Sequence, residues 1–496
     1  MRGGGAMILR NLNPQQRIII GVELIVGVIL LGVVLGWVIL NQPGRQPTPT
    51  PAPTIPMGTE GALTPLPIST STPVPTRRLP SATPRPTNTP VIGGESSNRL
   101  VVEGIENTTS NQRGLSLERD LPVQYLSRGM AAALWPEVAP TRAPRDQRAL
   151  DAVMAALDFV YQPRLSGTIT DRVEALVPEL SGFYDESTGT LTIITEAQQL
   201  TVPERQNLPH YYMHALQDQR WGLAALRAAA GTLDRRLALE ALIQGDAVVT
   251  MGTVSPDPPK STEEWLDLAR RAQAFERLDL QAPNPATAQG EIDSFCYLQG
   301  TQFALAVKTA SGWRGLSQLY SSPPISTRQI MHPAQLGAVP QGLYLTDLSP
   351  WLGGTWGLEA QDTIGEFVLG LHLRETLAPG QPVNRDRNQE QRAWDAVAGW
   401  DGDLIHVYQA GERRAWLLLT AWDSQKEAGQ FFDAYKDVIR LKLGAGASEV
   451  ETTDTSTQWQ NGQLYGYMSR QGAQVLVVWA PDRQVLDLIL GRLISP

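Results

Sequence analysis

The chain has 496 residues and a formal net charge of −9, with 42% hydrophobic and 18% charged residues. This length allows two or three domains of about 100–200 residues each. The charge is only mildly acidic and no run of lysine or arginine occurs, which argues against nucleic acid as a partner. A single cysteine, Cys296, excludes an intramolecular disulfide and is expected in the core rather than as a nucleophile.

The first predicted element is a transmembrane helix from Ile18 to Leu40, a stretch that is almost purely apolar. A bilayer needs roughly 20 such residues. The alternative is a cleaved signal peptide, but its apolar region is usually only about 7–15 residues long. Arg2, Arg10 and Arg17 precede the span, so residues 1–17 are expected in the cytoplasm. The sequence therefore predicts a single-pass membrane protein whose C-terminal bulk is extracytoplasmic.

Residues 41–97 are predicted to form a disordered stalk. Proline, threonine and serine dominate this segment from Gln46 to Pro90. Proline stiffens such a chain toward polyproline II, and the segment has too little apolar content to form a core. A stiff, solvated segment of this kind would hold the following domains away from the membrane.

A mainly helical domain is predicted from residue 98 to residue 342. Its first part, Leu100 to Leu134, predicts two short strands, VVEGI and PVQYL, that lead into a helix. Helical periodicity then predicts helices at Gln147–Tyr161, Asp171–Leu180, Pro203–Trp221, Leu233–Thr250, Glu263–Leu278 and Ile292–Ala310. Alternating apolar residues around a Ser-Thr-Gly turn predict a β-hairpin before the third of these helices. A strand in that place could line a cleft and pair with a peptide.

An α+β domain is predicted from residue 343 to residue 496, with mostly antiparallel strands and helices packed on one face. The strand patterns are GEFVLGLHL, LIHVYQA, RRAWLLLTAW, QLYGYMSRQ and AQVLVVWA, and the helix patterns are QKEAGQFFDAYKDVIRL and DRQVLDLILGRL. His372 and His406 fall within strand patterns and are predicted to be structural. The tryptophans of this domain suit either a ligand surface or core packing, and they are Trp394, Trp400, Trp416 and Trp422.

The helix predicted at Pro203–Trp221 carries the most informative motif. His210 and His214 are four residues apart, so both rings project from one face of the helix and can share a cation. In the metallopeptidase signature HExxH, the residue after the first histidine is a glutamate that deprotonates metal-bound water. Here that residue is Tyr211, and a phenol with an ordinary pKa of about 10 is a poor base at neutral pH. The two histidines of such a metal site are present, but the glutamate that would act as its base is not.

Six segments resemble, in sequence and order, a family of bacterial exported proteins that look like zincin-type metallopeptidases of the Glu-ligand branch. The segments are FYDESTGTLTII, HYYMHALQDQ, EALIQGDA, YLQGTQFA, SGWRGLSQLYSSPPISTRQIMHP and AGWDGDLIHVY. The resemblance covers roughly Gln112 to Tyr435, and it is most specific in HALQDQ with the downstream GDA and STxQIxHP segments. It implies a zincin-like fold for residues 98–342, with His210, His214 and a glutamate of an EGDA segment as zinc ligands.

This chain differs from the family pattern at the positions of the general base and the third zinc ligand. Tyr211 stands in place of the general base. Gln244 stands in place of the third ligand, and a neutral amide binds zinc more weakly than a carboxylate does. Asp246 keeps the acidic residue that follows. The resemblance thus implies a degenerate member with a vestigial metal site at the two histidines and Gln244, where zinc is possible but weak and no cofactor is expected.

Glu240 offers one way to restore the missing ligand. It lies one turn before Gln244 on the same predicted helix, so the two side chains share a face. Glu240 is therefore a possible substitute ligand. The alternative is a solvated charge or a local salt bridge with Arg235 or Arg236, which would keep its carboxylate away from any cation.

Two further positions leave alternatives open. His332 lies in a proline-flanked loop, where it could stabilise an oxyanion if the loop covers the cleft, or cap a local turn. Tyr211 and Tyr212 could bind a peptide, since tyrosine carries a large apolar face and a polar tip. Tyr211 could instead fill the space that a metal ion and its water would occupy.

Two functions of the histidine site remain as hypotheses at this point, beside a third possibility in which this domain is a scaffold and the α+β domain holds any ligand. The favoured one is a membrane-anchored pseudoenzyme that binds a peptide or an envelope polymer, or has a structural role, at the cell surface. The competing one is an active zinc metallopeptidase of low efficiency, with zinc held by His210, His214 and Glu240 and water activated by Asp246 or Glu204.

Overall fold

A computed structural model gives the structure of this protein. It describes residues 95–131, 133, 147–159, 181–197, 199–276, 288–380, 384–462 and 464–493. The predicted transmembrane helix at 18–40 and the predicted helix at Asp171–Leu180 lie outside these residues, as does nearly all of the predicted stalk. The described residues all fall within one compact unit, Asn88–Pro496.

Helices dominate the first part of this unit, as predicted. They are α1 (Glu95–Arg113), α2 (Gln147–Ala156), α3 (Val202–Trp221), α4 (Leu223–Ala229), α5 (Leu233–Val254), α6 (Thr262–Glu276), α7 (Ala288–Leu319) and α8 (Thr327–Met331). The predicted helices at Pro203–Trp221 and Leu233–Thr250 correspond to α3 and α5. The prediction at Ile292–Ala310 falls inside the longer α7, whose backbone is non-helical at Gly312.

The segment VVEGI is not a strand but part of α1, so that prediction was wrong. The buried residues Asn98, Val102, Thr109 and Arg113 recur at helical spacing, and they form the face of α1 that packs inward. Polar residues occupy most of this face, which is why apolar periodicity did not reveal the helix. The helix also begins at Glu95, inside the segment predicted as stalk.

Helices α5 and α7 pack closer together than side chains would normally allow. A Cβ atom on Gly245 would lie 2.0 Å from the carbonyl oxygen of Gly300, and one on Gly300 would lie 2.3 Å from the carbonyl oxygen of Ala241. The two glycines therefore let the two backbones touch. Within the described residues, α5 is the one helix long and apolar enough to cross a membrane, and 83% of its apolar stretch is buried inside the protein.

A small three-stranded sheet lies beside the helices. Its strands are β1 (Val123–Leu126), β2 (Gly182–Asp185) and β3 (Thr190–Ile194), in the order β1-β3-β2. The antiparallel pair β2–β3 is the predicted hairpin, and β1 is the predicted PVQYL strand. The parallel pairing of β1 with β3 was not predicted.

A seven-stranded antiparallel sheet forms the last part, which confirms the predicted α+β class. The strands are β4 (Gly357–Asp362), β5 (Trp400–Ala410), β6 (Arg413–Trp422), β7 (Ser448–Thr452), β8 (Ser456–Asn461), β9 (Leu464–Gln471) and β10 (Gln474–Ala480), in the order β4-β5-β6-β10-β9-β8-β7. The helices of this part are α9 (Ser349–Leu352), α10 (Gly365–Leu377), α11 (Arg387–Asp395), α12 (Gln425–Leu443) and α13 (Arg483–Leu493).

Two details of this part differ from the prediction. The segment GEFVLGLHL forms α10 rather than a strand, and it is buried on all sides, so its sequence lacks the polar face that marks a helix. Helices also cover both faces of the sheet rather than one. Phe431 of α12 belongs to the core on one face, and Leu486 of α13 belongs to the core on the other.

One hydrophobic core spans the helical part and the sheet. It includes Leu242 of α5, Phe295 of α7, Phe367 of α10 and Trp400 of β5. The rings of Phe295 and Phe367 lie 4.2 Å apart between their centroids. The sequence left the four tryptophans with two possible roles, a ligand surface or core packing. Trp400, Trp416 and Trp422 are buried in this core, and Trp394 packs against it. The predicted boundary at residue 342 thus runs between two parts that share side-chain packing.

Candidate functional site

Helix α3 presents the histidine motif, and local sequence signals fix both its ends. Thr201 caps the first turn, and the Glu204 side chain accepts a hydrogen bond from the Thr201 backbone N–H at 2.7 Å. Gly222 ends the helix in a left-handed conformation. Glu204 also accepts a bond from the Thr195 hydroxyl. The Glu204 carboxylate, one of the two bases considered for water activation, is therefore occupied in capping α3.

His210 and His214 lie side by side in the interior. Their exposed fractions are 0% and 6%, and their Nε2 atoms are 3.3 Å apart. Two imidazoles bound to one tetrahedral zinc ion, each at ~2.0–2.1 Å, would hold their nitrogens about 3.3 Å apart. The same separation also allows a hydrogen bond between the rings. The spacing of the pair therefore suits a shared proton or a shared cation.

Gln217 fixes the protonation of this pair. Its Nε2 donates to the Ile243 carbonyl at 3.0 Å and to the Tyr320 hydroxyl at 2.8 Å, so its Oε1 faces His214 Nδ1 at 2.8 Å and accepts from it. A neutral His214 then carries its proton on Nδ1 and a lone pair on Nε2. The hydrogen bond between the rings consequently runs from His210 Nε2–H to His214 Nε2.

The hydrogen-bond chain continues from Gln217 to a buried ion pair. The Tyr320 hydroxyl donates to Asp246 at 3.0 Å, and Arg113 donates to both oxygens of Asp246 at 2.9 Å. Burial alone would lower the pKa of Arg113, but the Asp246 carboxylate outweighs it and raises that pKa. Trp221 stacks on Tyr320 with ring centroids 3.8 Å apart. Asp246 thus binds an arginine and a tyrosine. These contacts take the place of the role considered from the sequence, in which Asp246 would deprotonate a water molecule.

Tyr211, which follows His210 where the HExxH signature has its glutamate, belongs to a hydrophobic core. Its ring packs among residues such as Leu208 and Val248, and its hydroxyl lies 3.1 Å from the Ser181 hydroxyl. Tyr212 is also buried, and its hydroxyl lies 2.8 Å from that of Ser110. Neither ring is presented to solvent. Of the two interpretations of Tyr211, the geometry supports a side chain that fills interior space.

The other candidate ligands lie on α5. Gln244 is 7% exposed, and its Oε1 atom is buried and accepts no hydrogen bond from the residues that the structure describes. Glu240 accepts two hydrogen bonds from Arg227, at 2.5 and 3.0 Å, and Arg227 also pairs with Glu186. The salt bridge of Glu240 is therefore with Arg227 and not with the neighbouring arginines that the sequence suggested.

This set of donors does not fit a catalytic zinc centre. It offers two imidazoles and one amide, whereas such a centre takes three firm ligands and an open position for water. Within the described ranges, no three side chains among His, Cys, Asp and Glu are grouped to hold a metal ion. The carboxylates that could compensate are each bound to another group, as described above for Glu204, Glu240 and Asp246. No hydrolytic step follows from this geometry.

His332 contacts a different part of the molecule. It ends α8, and its Nε2 lies 2.9 Å from a carboxylate oxygen of Glu366 on α10. This hydrogen bond raises the pKa of His332 above its ordinary value. The contact favours neither of the two roles considered from the sequence, because it joins α8 to α10. His372 and His406 are buried, and His372 lies 3.0 Å from the Tyr435 hydroxyl.

Sequence reasoning missed three residues of the site, namely Arg113, Gln217 and Tyr320. Gln217 had a usable signal, because it lies three residues after His214 on the same helix face. No sequence signal pointed to Arg113 or Tyr320, because each comes from a part of the chain far from the histidines.

Comparison with known proteins bears on the sheet and not on the histidines. Residues 355–490 match the model of a family described as a domain of unknown function, DUF8575. The match includes all seven strands of the larger sheet and ends within α13. No curated protein matches the chain. The histidine pair and its partners lie outside the matched residues.

Proposed function

We propose that this protein is a membrane-anchored, catalytically degenerate relative of zincin-type metallopeptidases, with a binding or structural role at the cell surface. The main observation behind the proposal is that the two histidines are buried and lie in contact with each other. His210 and His214 are almost fully buried, and their Nε2 atoms lie within hydrogen-bond distance of each other. A substrate carbonyl has no access to such a pair without rearrangement of the protein around it.

The environment of the pair supports the absence of hydrolysis. A positioned general base typically contributes ~10²–10⁴-fold to the rate. The residue at that position, Tyr211, has its hydroxyl 3.1 Å from the Ser181 hydroxyl and its ring in the core. Asp246 is bound to Arg113 in a buried ion pair. Loss of the Asp246 carboxylate would leave the buried charge of Arg113 without its anion, which is strongly destabilising.

The proposed binding partner is an extended peptide or an envelope polymer. The idea of a peptide rests on the hairpin before α3, whose strand β2 is the last in the order β1-β3-β2 among the described residues. An edge strand can pair with an added strand, but Gly182, Phe183 and Tyr184 of β2 are buried, so the residues beside them would have to move first. The partner would then lie along β2 and would not need to reach the histidines.

Metal analysis together with a peptidase assay on the full-length protein tests the proposal. We expect less than stoichiometric zinc after purification, and no peptide hydrolysis that a chelator abolishes. His214→Ala should leave both results unchanged, because neither depends on the imidazole.

The opposite result would establish the enzyme. The 3.3 Å separation of the two Nε2 atoms is the observation that favours it, because this spacing suits zinc ligation. Stoichiometric zinc that disappears in His214→Ala, with chelator-sensitive hydrolysis, would overturn the proposal. In that case Glu240→Gln identifies the third ligand, since it should also release the zinc if Glu240 leaves Arg227 to bind it.

A further inference from the structure

A second buried polar cluster joins the helical part to the large sheet. Its members are Asp234 at the start of α5, His332 after α8, Glu366 at the start of α10 and Asp403 on β5. We call these four residues the junction cluster. Two of them come from the STRQIMHP and GWDGD segments, which are distinctive in the sequence and have no part in the histidine site.

His332 and Glu366 are in contact at one end of the junction cluster, where the His332 side chain is partly exposed. The His332 side chain is 41% exposed, whereas that of Glu366 is 3% exposed. One Glu366 oxygen bonds His332 at 2.9 Å, and the other is buried and accepts no hydrogen bond from the described part of the chain. A buried carboxylate with one satisfied oxygen depends strongly on the charge of its partner.

The two aspartates of the junction cluster hold helix starts in place. Asp234 accepts bonds from the Thr327 backbone N–H at 2.7 Å and from its hydroxyl at 2.6 Å. Asp403 accepts bonds from the backbone N–H groups of Ile364 and Gly365, both at 2.8 Å. Through these bonds α8 is tied to α5, and α10 is tied to β5.

Other charged groups surround the junction cluster and are mostly committed elsewhere. They are Arg236, Arg328, Asp362, Asp401 and Asp423. Arg328 pairs with Asp423 and with the Trp400 carbonyl, and Arg236 pairs with Asp362. Among the described ion pairs, His332 is therefore the cation in direct contact with Glu366.

We propose that the junction cluster is a pH-sensitive clasp between the helical part and the sheet. The clasp holds while His332 carries its proton, and α8 and the start of α10 loosen together when that proton is lost.

The direction of each pKa shift agrees with this behaviour. The hydrogen bond to Glu366 raises the pKa of His332, so the stability it contributes is present below its ordinary pKa and is lost as pH rises through the raised one. Burial raises the pKa of Asp234 to about 8 and that of Asp403 to about 7. The stability that each aspartate contributes in its protonated form is lost as pH rises from its ordinary pKa of 3.8 to the raised one, so the aspartates act in the same direction as His332.

Hydrogen exchange on the full-length protein between pH 6 and pH 9 tests the clasp. Protection factors, which correct for the intrinsic pH dependence of exchange, should fall selectively in Thr327–Met331 and Gly365–Leu377. Strand β6 should keep its protection. The fall should be about tenfold for each unit by which folding raises the pKa of His332.

Variants assign the effect to its residues. His332→Gln should show a smaller fall than the parent protein, because its side chain does not titrate, and Asp234→Asn should reduce the fall further when combined with it. Asp257→Asn, on an exposed loop, should behave as the parent does. If His332→Gln does not fold, Glu366→Gln gives the same test from the other side of the pair. An unchanged fall in the folded variant, or an equal loss of protection in β6, would overturn the proposal.

Discussion

At the scale of single residues, Gln217 determines the chemistry of the histidine pair. Its amide is oriented by the Ile243 carbonyl, which can only accept, and this leaves its oxygen to accept from His214 Nδ1. His214 therefore keeps a lone pair on Nε2. A metal-bound histidine is usually oriented in the same way, by a partner that accepts from its other nitrogen. The orientation of His214 is therefore the one that a metal-binding histidine would have.

Replacement of Gln244 tests whether the position is still that of a third ligand. Gln244→Glu should lower the melting temperature without metal, because it buries a carboxyl group that has no cation. Added zinc should then restore stability, by about 2.7 kcal/mol at a concentration 100 times its Kd. Thermal unfolding with and without zinc measures both effects.

Gln273→Glu is the matched control, because Gln273 is a similarly buried glutamine, 8% exposed, on α6. It should be destabilised without rescue by zinc. Equal rescue of the two variants, or no rescue of Gln244→Glu, would contradict a ligand position at Gln244.

Gly365 is a second residue whose identity matters. Its φ of +83° is unfavourable for other residues, and a Cβ atom there would lie 1.9 Å from the Asp234 carboxylate. Gly353 also has a positive φ, of +99°, but a Cβ atom there meets nothing within 4 Å. Comparison of substitutions at these two glycines separates the cost of backbone strain from the cost of a steric clash.

We expect Gly365→Ala to reduce the free energy of unfolding by about 2–5 kcal/mol, from strain and overpacking together. Gly353→Ala should cost only the strain of its positive-φ backbone, about 1–3 kcal/mol. Urea denaturation at 25 °C measures both values. Equal losses in the two variants would show that Asp234 moves aside at little cost.

At the scale of elements, the Arg113–Asp246 ion pair connects α1 to α5. Both side chains are almost fully buried, at 1% and 0% exposure, and the contact is bidentate. Arg113 also donates to Ser317 of α7 at 3.0 Å. Three helices are therefore held by one guanidinium. Removal of one partner from such a pair leaves an uncompensated buried charge, which is far more costly than the loss of a surface pair.

Asp246→Asn should lower the free energy of unfolding by about 3–5 kcal/mol, because Arg113 then lies buried without its anion. The double variant Arg113→Met with Asp246→Leu should recover much of this loss. Arg220→Met is the control, since Arg220 pairs with Glu118 at the surface, and it should change stability much less. A single variant as mild as this control would refute the structural role of the pair.

At the scale of the whole molecule, the shared core implies that the two predicted domains unfold together. Leu242 and Phe295 of the helical part belong to the same core as Phe367 and Trp400. In the junction cluster, the hydrogen bond between His332 and Glu366 also joins the same two parts. Separation of the two parts would therefore expose side chains of this core, although each part also has a smaller cluster of its own.

We therefore expect one cooperative unfolding transition for the folded unit. Far-UV circular dichroism, which reports mainly on the helices, and tryptophan fluorescence, which reports largely on the sheet, should give the same midpoint in urea. Two separated midpoints would show that the predicted boundary near residue 342 divides independent domains.

Local sequence signals were sufficient where the structure depends on near neighbours. Helical periodicity and the i, i+4 histidines predicted α3, and alternation predicted the β2–β3 hairpin. The same reasoning failed for α1 and α10. The inward face of α1 is largely polar and α10 is buried on all sides, so neither shows the apolar stripe from which a helix is inferred.

The sequence by itself determined the α+β class of the fold and the placement of His210 and His214 on one face of a helix. Only the tertiary structure decided what the remaining polar groups bind. Asp246 meets Arg113, Glu240 meets Arg227, and His332 meets Glu366. A buried charge takes whichever partner the packing of distant elements brings within reach, and that choice is not encoded in the spacing of residues along the chain.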